Sequence, residues 1–150
     1  MLGKLLPKSP SLMPSFGLLA LRLVFGIGMA THGWGKVQNM TGWMDAYGPS
    51  GVPSFLQAAA AISEFGGGIC LAVGFLTPVA AFLIMATMSV AAYKHISGGD
   101  PFSLSWNPAD SRGHWELAAL YWGTAFSLML TGPGMHSIDQ VVFKGKCEEA

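Results

Sequence analysis

Residues 16–35 read FGLLALRLVFGIGMATHGWG, an apolar run whose one formal charge is Arg22. As a helix it rises about 30 Å, the thickness of a bilayer's hydrocarbon core. Three runs of similar character come after it, at about 54–76, 78–96 and 114–131. The pattern predicts an all-α integral membrane four-helix bundle occupying residues 1–150 as a single membrane domain. Composition agrees, with 51% hydrophobic and 11% charged residues and a mean hydropathy of +0.46, where soluble domains carry about 25% charged residues. Eight basic and eight acidic residues cancel, so no long-range field exists to hold nucleic acid. Lys4 and Lys8 ahead of a run reaching Gly28-Met29-Ala30 imitate a signal peptide. A strong cation at Arg22 does not suit a signal core, and a retained first helix is expected. The two cysteines, Cys70 and Cys147, belong to no CxxC or CxxCH pattern, which argues against a dithiol redox enzyme and against c-type haem.

Punctuation sets the boundaries. The leader holding Pro7, Ser9, Pro10 and Pro14 should be extended. Thr77-Pro78 reads as an N-cap followed by proline in the first turn. Gly132-Pro133-Gly134 closes the fourth run, and Ser137-Ile138-Asp139-Gln140 has capping-box form, predicting a short interfacial helix over about 138–144. Residues 36–53 and 97–113 form long connections on one side, the side where Trp34, Trp43, Trp106 and Trp115 gather as an aromatic belt. Lys4, Lys8, Lys144 and Lys146 in leader and tail outnumber Lys36, Lys94 and Arg112 in the long loops by one, so both termini are expected in the cytoplasm of a bacterial inner membrane. Ala59, Ser63 and Gly67, and Ala60, Glu64 and Gly68, recur every four residues, offering a neighbouring backbone a close approach. Gly26 and Gly33 share a face with Arg22.

An isolated charge inside a membrane helix costs at least about 2.5–3.5 kcal/mol, so Arg22 and Glu64 each need a partner. Counted from the long-loop ends of two antiparallel helices, both lie about ten residues down, and a structural ion pair between Arg22 and Glu64 is expected. Such a pair serves either helix register or a polar cavity handling protons, and the sequence leaves both open. A second set collects at the long-loop end: His32, Lys36, Lys94, His95, Arg112, His114 and Glu116. Convergence of these groups from three helices would suit a small anion or the carbonyls of a quinone. Glu64, Glu116 and His32 are then the catalytic candidates and Lys36, Arg112, His95 and Lys94 the substrate-binding ones, against the plainer reading that long cations snorkel to the head groups. No His or Cys spacing supports a metal site. Tyr121, Trp122 and Phe126 could flank a quinone ring, although membrane aromatics more often face lipid or pack.

One ordered set of motifs goes further. Arg22, His32-Gly33-Trp34-Gly35-Lys36, Glu64-Phe65-Gly66-Gly67, Glu116, Gly132-Pro133-Gly134 and Ser137-Ile138-Asp139 resemble the DoxX family over about residues 16–139. The resemblance implies a four-helix membrane protein related to the DoxD-type subunit of thiosulfate:quinone oxidoreductase, with quinone as the implied cofactor and other membrane or redox subunits as partners. Kinship of fold does not establish catalysis. Two readings stand: a membrane subunit of a quinone-linked oxidoreductase assembly that binds a quinone head group or a thiosulfate-like oxyanion, or a non-catalytic accessory subunit at the edge of a larger complex. The sequence has no recognisable flavin, iron–sulfur or c-haem motif, so electrons would come from an external carrier. A small transporter is less supported, because no inverted repeat or pair of broken helices is visible.

Overall fold

The computed structural model describes residues 12–45, 50–103 and 113–144. They form five helices: α1 Leu12–Val37, α2 Ser54–Val73, α3 Thr77–Ser97, α4 Glu116–Thr131 and α5 Ile138–Lys144. The chain is an all-α membrane protein. By length and composition α1, α2 and α3 can each cross a bilayer. α4, at 16 residues, is about 24 Å long, shorter than a hydrocarbon core of about 30 Å. Outward-facing side chains such as Val24, Val90, Leu120 and Leu130 are apolar and exposed, the surface a lipid solvent demands.

α1 begins four residues earlier than its apolar run suggests. Pro14, expected in an extended leader, lies in the first helical turn, where its missing N–H has no partner to lose. α2 ends at Gly74, left-handed at φ 72°, and the Phe75 amide closes back on the Cys70 carbonyl at 2.8 Å. The residue flanking α3 is then Leu76, also left-handed at φ 45°, not Thr77 as the sequence suggests. Thr77 sits inside the first turn, and its Oγ1 is buried without a hydrogen-bond partner among the described residues. The cap comes from elsewhere: the Asp139 carboxylate accepts from the Leu76 amide at 2.7 Å and the Thr77 amide at 2.9 Å. α4 stops at Gly132 (φ 76°), and Ser137 Oγ accepts from the Gln140 amide at 3.3 Å, half of the expected capping box.

α1 packs on α2, α2 on α3 and α3 on α4, whereas α1 and α4 scarcely touch. The core at the centre of this row takes Phe25 and Met29 from α1, Leu71 from α2, Ala81, Ile84 and Met88 from α3, and Ala125 and Leu128 from α4. α1 and α2 meet backbone to backbone. A Cβ at Gly68 would stand 2.5 Å from the Ala30 nitrogen, one at Gly26 2.6 Å from the Gly68 oxygen, and one at Gly33 2.5 Å from the Phe65 nitrogen.

These contacts fix the register and overturn the Arg22–Glu64 pair. Flush long-loop ends would set Gly33 beside residue 56, but it lies beside Phe65, a slip of about nine residues or roughly 13 Å. The first turns of α2 stand beyond the end of α1, and the first turns of α1 stand beyond the α2–α3 turn. Arg22 is therefore level with Gly74. Its guanidinium is fully buried, and Nη2 donates to the His136 carbonyl. Ser15 Oγ accepts from the Met135 amide at 3.4 Å and Phe16 lies against the His136 ring, so the protruding start of α1 carries the segment that hides Arg22.

Candidate functional site

Lys36 takes the place expected of Arg22. One turn beyond Gly33, it reaches across to α2, and its Nζ lies 2.6 Å from both carboxylate oxygens of Glu64. The Glu64 side chain is 2% exposed and that of Lys36 17%, so the acid is sealed and the lysine is less deeply buried. Glycine at 33 makes this reach available, because any side chain there would push the two backbones apart. Above the ammonium, 4.4 Å from ring centroid to Nζ, stands the indole of Trp43, whose negative face attracts the cation.

Trp43 is held by a residue that belongs to none of the sequence motifs. Gln57, fully buried on the protruding start of α2, accepts the Trp43 indole N–H on its own carbonyl at 3.0 Å and the Met44 amide on Oε1 at 3.0 Å. Its Nε2 donates to Asp45 Oδ2 at 2.8 Å and to the Val52 carbonyl at 3.0 Å. Both ends of the long connection are thus stapled to one side chain. Asp45 also accepts from the Ser50 amide at 2.7 Å. The Ser50 amide first, then the Gln57 side chain and the Ser50 hydroxyl, hold the Asp45 carboxyl down at about 2, below its ordinary value of 3.8. A lone glutamine amid apolar residues, with Trp and Asp one connection away, was the available signal.

The remaining candidates are dispersed. Lys94 is exposed and donates to the Ser50 carbonyl at 3.4 Å. His95 pairs with Asp100, an acid outside the expected cluster. Glu116 opens α4, its amide donating to the Phe102 carbonyl at 2.7 Å, and its side chain is half-buried, as is His114. His32 is exposed on α1. Arg112 lies outside the described residues. Among the described residues no group of three His, Cys, Asp or Glu side chains is placed to hold a metal ion.

The aromatic trio of α4 divides. Trp122 and Phe126 stack on the outer surface at 5.3 Å, with the Trp122 indole donating to Ser89 Oγ at 3.0 Å. Tyr121 turns inward onto Phe25 at 5.2 Å. It lines a groove of about 180 Å³ with Leu21, Val24, Phe25, Leu117 and Thr124, where α1 and α4 stand apart.

The family model described as DoxX matches residues 17–96, the stretch carrying most of α1, Lys36, Glu64 and nearly all of α3. A Bacillus subtilis protein named "Putative oxidoreductase CatD" is 32% identical over 130 residues, covering 87% of this chain and 90% of that protein. An Escherichia coli protein named "Inner membrane protein YqjF" is 30% identical over 128 residues, covering 85% of this chain and 93% of that protein. No solved structure matches the chain.

Proposed function

The chain belongs to the DoxX family, and from that premise we propose that it is a bacterial inner-membrane subunit of a quinone-linked oxidoreductase assembly, acting at the Lys36–Glu64 pair. The observation that carries the reading is a sealed carboxylate bound to a less deeply buried lysine beneath an indole lid. Burial makes such a pair costly unless each charge is answered, and the same low dielectric strengthens its action on a neighbouring group. Lys36 can stabilise negative charge growing on a quinone oxygen or a sulfur oxyanion. Reduction to the quinol also takes two protons, and Glu64, once protonated from water, can pass one of them. The opening between α1 and α4 gives a lipid-soluble ring a lateral approach along Phe25 and Tyr121. Two electrons per quinone would arrive from a partner redox protein. The names of the relatives support both oxidoreduction and the inner membrane, and the lysine count favours cytoplasmic termini with the Lys36–Glu64 end outside.

The test is reduction of a short-chain ubiquinone analogue by the protein in its native complex, with and without thiosulfate. Wild-type turnover and its loss in Lys36→Ala and Glu64→Gln are expected. Inactivity of both the purified chain and the intact complex would leave the accessory reading, in which the pair only fixes helix register.

A further inference from the structure

His95 lies near the end of α3 and Asp100 stands five residues later, past Gly98 and Gly99. The Asp100 amide donates to the His95 carbonyl at 3.0 Å, which closes the turn and brings the carboxylate Oδ2 to 2.7 Å from the ring's Nδ1. A third residue completes the arrangement from the far side of the 104–112 stretch. A methyl group at Gly113 would stand 2.7 Å from Asp100 Oδ2, 2.9 Å from His95 Nδ1 and 3.0 Å from His95 Cε1. The bare backbone of Gly113 therefore covers the imidazole–carboxylate contact, and a side chain there would have to displace one of the two partners. The two side chains remain 40% and 24% exposed, so the dyad borders water.

A carboxylate only accepts, so in neutral His95 the proton must sit on Nδ1, leaving Nε2 with its lone pair and no hydrogen-bond partner among the described residues. We propose that His95 and Asp100 form an oriented imidazole–carboxylate base that exchanges protons with water and polar substrate at the long-loop end, with Gly113 as its backbone shield. The proton moves to Nε2, the imidazolium is balanced by Asp100, and the proton is then returned to water. No electrons move in this step. Asp100 and Gly113 are positioning residues. The other ionisable groups nearest in the chain are Lys94, which turns to the Ser50 carbonyl, and His114 and Glu116, just past Gly113. The use of the base in quinone reduction rests on the function proposed above; the dyad itself does not.

Two measurements separate these. Nitrogen-15 spectra of histidine-labelled full-length protein in lipid nanodiscs, with the His95 signals assigned from His95→Gln, read the tautomer. Wild type should show the Nδ1–H form, and Asp100→Ala and Gly113→Ala should each shift His95 toward the Nε2–H form usual for a free imidazole. A wild-type His95 in the Nε2–H form, or variants that leave it unchanged, overturns the dyad. In the native complex, Asp100→Ala should displace the acid limb of the pH–rate profile while leaving KM for the quinone unaltered; an undisplaced limb refutes the proton-exchange role. If the complex reduces no quinone at all, the proposed function falls while the tautomer spectra still decide the dyad.

Discussion

Lys36 and Glu64 show how a buried charge is made tolerable by a partner on the neighbouring helix. Removing one partner strands the other, which typically costs about 3–5 kcal/mol, whereas replacing both with apolar groups of similar volume is often neutral. Glu64→Leu alone should therefore unfold at lower temperature by several degrees, and Lys36→Met combined with Glu64→Leu should recover most of that loss. Thermal denaturation in detergent checks both, and a double variant as weak as the single one would refute the pairing. The residue types were legible in the sequence: a glutamate amid apolar residues, and a lysine closing the first run. What stayed hidden was the choice between Lys36 and Arg22. That choice depends on how far two helices slide along each other, and a count from their apparent ends carries no information about sliding.

Gly68 and Gly26 set that slide. Gly68→Ala places a methyl 2.5 Å from the Ala30 nitrogen and should destabilise by about 1–3 kcal/mol through overpacking. Gly66, with open space at its Cβ position, is the control: Gly66→Ala should be neutral or stabilising by up to about 1 kcal/mol, since alanine is the better helix former. Equal effects of the two changes in a denaturant titration would contradict the close crossing. The connection between α1 and α2 responds to acid instead. The folded Asp45 carboxyl titrates at about 2 and its ordinary value is 3.8, so its share of stability is present above about pH 4 and is lost as pH falls toward 2. Quenching of Trp43 fluorescence should stay flat from pH 7 to about 4 and change below it, and the change should vanish in Asp45→Asn. Helix existence was readable from hydropathy, as were the stops at Gly132 and the start of α5. The capping of α3 was not, because Thr77-Pro78 imitates a local cap, while the group that serves is 62 positions away in the sequence.

As an assembly, the four long helices form a row with one loose seam, between α1 and α4, and two ends of opposite character. One end carries the long connections, Lys36–Glu64 and the His95–Asp100 dyad. The other is closed by residues 132–144 over Arg22. With cytoplasmic termini, an impermeant thiol reagent applied to intact cells should leave Cys147 unlabelled until the membrane is permeabilised; immediate labelling would invert the orientation. The placement of Asp139 against the Leu76 and Thr77 amides also bears on how the protein is made. Those amides leave the ribosome more than sixty residues before the carboxylate that will satisfy them, so the hairpin of α2 and α3 must enter the bilayer with its turn still hydrated. Insertion and locking are then separate events, and a nascent chain arrested before Asp139 would be integrated yet open at the rim that this carboxylate closes.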